Sequence, residues 1–391
     1  MTKVMAINSG SSSLKFKLFN MPEETVITEG MIERIGSVDA VFSIKYQGEK
    51  KERQTPIKDH QQAVQLVLDT LLEEKIINSY EDISGVGHRI SHGGTYYQDA
   101  TLIDELVEAR IDELSTLSPL HNPVNLIGIR SFEKVLPHAK QVAIFDTSFH
   151  HTMPEKNYMY ALPYEYYEKY GIRRYGFHGP SHQYVSEEAL RLNPSAHKVI
   201  TCHIGSGASI AAILDGKSVN TSMGFTPLAG LVMGTRTGDI DPQIIPFIQE
   251  KEGLNPQEIK NLMNKKSGLL GLSGISNDCR DVEEAAMTGN PRAKLALDVF
   301  SHQIIHYIGA YAADLNGLDT LVFTAGVGEH SATIRKIVCD SLTYLGLSID
   351  EDKNQENALF IEDEKSIIKV LVIPTDEEVI IARDVMRVAE L

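Results

Sequence analysis

Apolar and polar positions alternate from Val4 to Phe19, VMAINSGSSSLKFKLF, on either side of a turn of one glycine and four serines. That period of two predicts a pair of strands with a polar tip, and the same alternation in VFSIKY extends the run of strands to about residue 47. From His60 to Lys75 the period lengthens, and Val64, Val67, Leu68, Leu71 and Leu72 share one helical face. Ile83 to Ile90 then reads as a strand, closing on the polar cluster His88, Arg89, Ser91, His92, Gly93 and Gly94. Two helical patterns follow, the second opening at Asn122 with Pro123 in its first turn, and the strand QVAIF ends at Asp146. Strands alternating with helices predict an α/β fold, in which ligands sit beyond the carboxyl ends of the strands.

A second cycle opens near residue 198, where KVITCHIGSGASIAAIL repeats the pattern of the first stretch. Laying Gly10 on Gly207 matches strand, S-G-x-S and strand, which predicts two related domains facing each other across a cleft. The expected division is 1–149 with 378–391 as one domain and 150–377 as the other. Within the second domain, GFTPLAGLVMGTRTGDIDP is a glycine-punctuated loop. Asn290 to Leu315 is a long amphipathic helix with Pro291 in its first turn, and LVFTAGVGEH is a buried-type strand opening into a glycine turn. Thr375 and Glu378 have the spacing of a capping box for the final helix.

Composition narrows the function. The chain has 391 residues, enough for two domains, with 42% hydrophobic and 23% charged positions of a globular kind. A formal net charge of −16 argues against nucleic acid or an anionic membrane surface as partner, so a polyphosphate ligand needs a locally basic pocket. Three cysteines without C-x-x-C spacing fit a reducing cytoplasm better than disulfides or zinc. No signal-like apolar core and no membrane-length apolar run occur, and the expected location is cytoplasmic.

Neither a G-x-x-x-x-G-K-[ST] loop nor a G-x-G-x-x-G fingerprint is present. Instead, small-residue turns at 8–13, 205–209 and 326–328 offer backbone N–H groups to phosphate oxygens. Arg89 and Arg236 suit bidentate contacts to a carboxylate or phosphate, although Asp239 and Asp241 are competing partners for Arg236. His121 and His178 are placed to donate to a developing oxyanion, or else are satisfied structural histidines. The pairs His178/His182 and His150/His151 also admit a metal reading, without a matching third ligand. Asp146 suits orienting a substrate, holding a cation through water, or capping a helix. Glu377 suits magnesium or simply the helix dipole.

Together these segments resemble the acetate and propionate kinase family of the actin and sugar-kinase superfamily. The motifs are N-S-G-S-S-S-L-K, G-H-R-I-S-H-G-G, P-L-H-N-P, F-D-T-S-F-H, Y-G-F-H-G-P-S-H, C-H-I-G-S-G-A-S, M-G-T-R-T-G-D-I-D-P, F-T-A-G-V-G-E and P-T-D-E-E, in fixed order along the whole chain. The resemblance implies two duplicated ribonuclease-H-like domains with an interdomain cleft. It also implies reversible, magnesium-dependent phosphoryl transfer from ATP to acetate, with ATP or ADP as substrate, manganese as an alternative ion and a homodimer as the assembly. By the same resemblance, Asn8 and Glu377 hold the metal, and Ser11, Ser13 and Lys15 lie beside the phosphates. Arg89 binds the substrate carboxylate; Arg236, His178 and His121 act at the transferring phosphoryl group, and Asp146 orients the arginines. His203, Gly205, Ser206, Gly207, Asp278, Cys279, Arg280, Gly326, Val327, Gly328 and His330 match nucleotide positions. Leu120, Phe177 and Pro227, with Ser91, match the acyl pocket.

The chain departs from the family pattern at several of these positions. Ser91 stands where the family usually has valine, which favours propionate or butyrate as alternative substrates. Ser206 and His330 replace asparagines, Cys279 replaces an aromatic or large apolar residue, and Pro180 replaces a threonine. A nucleotide-binding sensor without catalysis is the remote alternative that these changes suggest.

Overall fold

The computed structural model describes residues 1–391, which fall into two compact units: Met1–Phe149 with Asp376–Leu391, and His150–Thr375. In the first unit β1 (Thr2–Ser9), β2 (Ser13–Met21), β3 (Thr25–Glu33), β4 (Val41–Tyr46), β5 (Glu49–Gln54), β6 (Ile83–Ile90), β7 (Thr101–Leu102) and β8 (Lys140–Phe145) form one sheet. Its order is β5-β4-β3-β2-β1-β6-β8-β7. β1 is central, with Val4 to Ile7 buried on both faces, whereas the edge strand β5, EKKERQ, is exposed throughout. A row of charges on an open edge discourages pairing with another chain.

The second unit contains β9 (Lys198–Ile204), β10 (Ala208–Leu214), β11 (Lys217–Thr221), β12 (Thr320–Thr324) and β13 (Lys369–Val372), in the order β11-β10-β9-β12-β13. β10 runs antiparallel to β9 and β11, while β12 runs parallel to β9 and β13. The strands β3-β2-β1-β6-β8 have the same order and the same senses, so the two domains are duplicates in topology. Counted from the strand ends, however, Gly10 corresponds to Gly205 rather than to Gly207. β1 stops at Ser9 and β9 at Ile204, so the serine and glycine letters that align best are two places out of structural register. The core of this unit gathers around helix Pro291–Asp314, whose Phe300, Ile304 and Ile308 are buried; Asn290 caps it by accepting from the N–H groups of Arg292 and Ala293.

The chain returns to the first unit through helix Glu377–Ala389. The expected Thr375/Glu378 capping box does not form: Asp376 is the cap, accepting from Val379 N–H at 3.3 Å. Thr375 is drawn elsewhere, its N–H donating to Glu329 at 3.1 Å and its hydroxyl meeting that of Ser181 at 2.8 Å. This helix lies on β1, β6 and β8 because β6 carries two glycines under it. A Cβ at Gly87 would stand 2.3 Å from Ile381 Cγ2, and one at Gly85 would stand 2.5 Å from Val385 Cγ1. Close packing over Gly87 sets the start of the helix beside the carboxyl end of β6, where Arg89 lies two residues beyond Gly87.

Candidate active site

In the first unit the site is built on Arg89. Its Nε donates to Asp146 Oδ1 at 2.7 Å and its Nη2 to Asp146 Oδ2 at 2.9 Å, while Nη1 lies 3.0 Å from Glu377 Oε2. Asp146 follows β8, and β6 pairs with β8 in parallel with Arg89 opposite Ile144, so strand register delivers both ends of the pair. A guanidinium has five N–H donors, and these contacts use three, leaving one hydrogen on each Nη. Burial works against the Arg89 charge, but Asp146 and Glu377 outweigh it and raise its pKa. Glu377 moves the other way for a carboxyl: burial pushes it above the usual range, with Arg89 only partly compensating and Asp146 and Glu378 adding repulsion.

Lys15 is paired with Glu378 at 2.5 Å, and Lys17 reaches Asp376 at 3.0 Å and Glu378 at 3.3 Å. Burial disfavours the Glu378 charge, yet Lys15 and then Lys17 bring its pKa down to about 2. Thus the carboxylates flanking Glu377 are anchored to β2, and Glu377 is the one turned to Arg89. Asn8 lies in β1 opposite Lys15, and Ser11 and Ser13 lie on the turn that Gly10 closes by donating its N–H to Ser13 O at 2.8 Å. His121 is exposed at the entry to helix Asn122–Val135, next to Leu120, which is also exposed. Ser91 is tied to the same region: its N–H donates to Asn125 Oδ1 at 3.1 Å and its hydroxyl accepts from Ser118 at 3.2 Å.

In the second unit His178, Arg236 and the β9–β10 turn converge. His178 has φ of 58°, ahead of helix Gly179–Leu192, and its ring stacks on His203 with centroids 4.1 Å apart. A Cβ built on Gly207 would be 3.6 Å from Arg236 Nη1 and 3.7 Å from His178 Nε2, so all three border one space. The proposed competition for Arg236 from Asp239 and Asp241 is not realised. Asp239 accepts from Gly230 N–H and from the Tyr307 hydroxyl, and Arg236 donates to Pro227 O at 3.0 Å with no carboxylate in ion-pair reach. Burial without a counter-charge lowers its pKa. Phe177 is buried in the core, and its carbonyl lies 3.0 Å from His150 Nε2.

A cavity of about 440 Å³ lies next to this turn, lined by Gly205, Ser206, Asp278, Cys279, Arg280, Gly326, Val327 and His330 among the expected nucleotide residues. Gly326 faces open space, while Gly328 packs near Cys202 O and Phe323. Asp278 caps helix Cys279–Met287 and pairs with Arg280 at 2.6 Å, which with the Arg280 N–H lowers its pKa to about 2. Cys279 is buried, which pushes its thiol up to about 12. Residues 325–330 form a short helix, so the expected glycine turn is itself helical ahead of the next helix, with Ala325 at φ of 63° and its N–H held by Glu329 at 2.8 Å. Sequence reasoning missed Gly234, Asn277, Glu283 and Ser331 on the cavity wall. Glu283, five residues after Asp278 on a capped helix, was the one with a readable signal. Gly234 is required sterically, since a Cβ there would be 2.8 Å from Asn277 O.

The zinc reading of the histidine pairs fails on geometry. His182 meets Thr201 Oγ1 and Ser209 Oγ, each at 2.7 Å, and His150 meets Ser218 Oγ and Phe177 O. No group of three or more His, Cys, Asp or Glu side chains is arranged to hold a metal. Magnesium makes a lighter demand, one or two protein oxygens with water and phosphate supplying the rest. The donor chemistry of Glu377 and Asn8 fits that demand, and burial beside Asp146 and Glu378 disfavours the Glu377 anion even with Arg89 at hand, a cost that a divalent cation would offset.

The chain is similar to known proteins over its full length. The profile of the acetokinase family matches residues 3–383. An acetate kinase of Geobacillus kaustophilus is 55% identical over 100% of both chains. The propionate kinase PduW of Salmonella typhimurium is 54% identical over 99% of this chain and 96% of its own. The crystal structure of Porphyromonas gingivalis acetate kinase superimposes with a TM-score of 0.94 at 44% identity, covering 100% of both chains. With the family profile spanning nearly every residue and relatives matching at full length, the chain belongs to the acetokinase family.

Proposed function

We propose that the chain transfers the γ-phosphoryl group of ATP to acetate, giving acetyl phosphate and ADP, reversibly and by direct in-line displacement. The carrying observation is Arg236, a half-buried guanidinium without a carboxylate partner beside His178 Nε2 and the β9–β10 turn. A cation so placed is stabilised when a phosphoryl group brings negative charge to it. Arg89 complements it: the two Nη hydrogens left over by Asp146 and Glu377 match a substrate carboxylate. Asp146 fixes the plane of that guanidinium, and His178 and His121 donate to oxygens that gain charge. Gly205, Ser206, Gly326 and Val327, with Asp278 and Arg280, line the cavity that suits a nucleotide, and His203, Gly207 and Gly328 belong to the same proposed site.

Magnesium, or manganese in its place, neutralises phosphate charge when bound, and Glu377 and Asn8 are the residues that would hold it. A cytoplasmic homodimer is part of the same proposal. No helix is long and apolar enough to cross a membrane, and helix Pro291–Asp314 borders an apolar hollow at His302, His306 and Tyr307.

Hydroxamate trapping of acetyl phosphate tests the reading directly, and ATP binding without product points to the sensor instead. Propionate or butyrate is a second reading, favoured by Ser91 and by the near-equal identity to a propionate kinase. Comparing kcat/KM for the three acids decides between them. A tenfold preference for a longer acid, worth about 1.4 kcal/mol, overturns acetate.

A further inference from the structure

Ser209 lies fully buried in β10, with one hydroxyl between two imidazoles: His178 Nδ1 at 2.9 Å and His182 Nε2 at 2.7 Å. His182 is itself fully buried, and its other nitrogen meets the buried Thr201 hydroxyl at 2.7 Å. That imidazole nitrogen is the single hydrogen-bond partner the structure gives Thr201 Oγ1. A buried hydroxyl hydrogen needs an acceptor, so Thr201 donates to His182 Nδ1. His182 then carries its hydrogen on Nε2 and donates to Ser209 Oγ. Ser209 has one hydrogen to give, and His178 Nδ1 is the acceptor that remains. The neutral His178 must therefore carry its own hydrogen on Nε2, the nitrogen that borders Gly207 and Arg236.

We propose that Ser209 is a positioning residue: it relays the tautomer of buried His182 to His178, so that His178 presents an N–H donor to the reacting phosphoryl group without needing to be charged. The inference rests on the reading of His178 given above. Burial, with His150 and His203 nearby, keeps His182 neutral, so the relay starts from a fixed tautomer. The titratable and charged groups around His178 are His182 on its own helix, His203 on β9, Arg236 beside the turn, and His150 beyond His182 at 5.6 Å between ring centroids.

The whole enzyme, labelled with ¹⁵N in histidine alone, tests the relay without any substrate. A long-range ¹H–¹⁵N spectrum, with His178 assigned by loss of its signals in His178→Gln, should show a protonated Nε2 and a bare Nδ1 at pH 8. A protonated Nδ1 overturns the relay, whatever the substrate proves to be. Kinetics supply the second arm. Ser209→Ala frees the tautomer, so its spectrum at pH 8 should show protonation appearing at His178 Nδ1, while kcat falls about tenfold and the nucleotide KM holds. Ser209→Thr should restore both the bare Nδ1 and the rate. A loss of rate with Nδ1 still bare makes Ser209 merely structural and overturns the proposal. A protonated Nε2 together with unchanged Ser209→Ala kinetics removes His178 from the reacting phosphoryl and leaves the relay as packing.

Discussion

Arg89 grips Asp146 through two parallel hydrogen bonds, Nε to Oδ1 at 2.7 Å and Nη2 to Oδ2 at 2.9 Å. Because this pair sets the plane of the guanidinium, Asp146→Asn should cost about 100-fold in kcat, or about 2.7 kcal/mol, with little change in ATP KM. Arg89→Lys keeps the charge but loses the fork. It should raise the acetate KM at least about tenfold, measured by steady-state kinetics with acetate varied.

Arg236 is a half-buried cation without an anion, so its removal carries opposite signs for rate and stability. Arg236→Ala should reduce kcat by about 1,000-fold, while Tm in the absence of nucleotide stays level or rises. A large fall in Tm would show that its bond to Pro227 O matters more for the fold than for the reaction.

Glu377 and Glu378 are neighbours whose carboxyls shift in opposite directions. For Glu377, raised by burial, the stabilising contribution is that of the protonated form, complete below the ordinary value of 4.5 and lost as pH rises through the raised one. Glu377→Gln should therefore not lower Tm at pH 7, yet it should raise the magnesium concentration for half-maximal rate at least about tenfold. For Glu378, lowered to about 2, the contribution is present above 4.5 and lost as pH falls toward 2. Glu378→Gln should destabilise at pH 7, by about 1–3 kcal/mol, because Lys17 is left partly buried with only Asp376. Thermal melts at pH 7 and pH 3 check both signs.

Gly87 is required by the helix above it rather than by a turn. Gly87→Ala places a methyl 2.3 Å from Ile381 Cγ2, and the expected cost is about 1–3 kcal/mol of stability. Since that helix carries Glu377, the rate should fall together with Tm, and the metal requirement should rise.

The strands, the long helix and the turns were legible because period and capping are local: Val64 to Leu72 repeat on one face, and Asn290 caps with its own side chain. Arg89 and Asp146 were each legible as strand-end residues, but their bidentate pairing depends on parallel register, which no local pattern encodes. Lys15 illustrates the limit: its place beside a serine turn suggested a phosphate, but no local pattern announced its ion pair with Glu378, brought back from the far end of the chain. Thr375 and Glu378 had the right spacing for a capping box, but tertiary partners took both. Ser209 was legible as the last serine of S-G-x-S, but its place between two imidazoles was not, since the rings on either side come from a helix distant in sequence.

The glycine-paved face of β6 has a consequence for synthesis. A chain growing from its N-terminus completes β1 to β8 long before helix Glu377–Ala389 exists, and all of His150–Thr375 must be made in between. Until then Gly87 and Ile144, which meet Ile381 in the finished fold, lie on strands whose cover has not been translated, a surface that favours chaperone capture or misassembly. The first domain to be started is thus the last to be finished, and the residue proposed to hold the metal arrives with the segment that closes it.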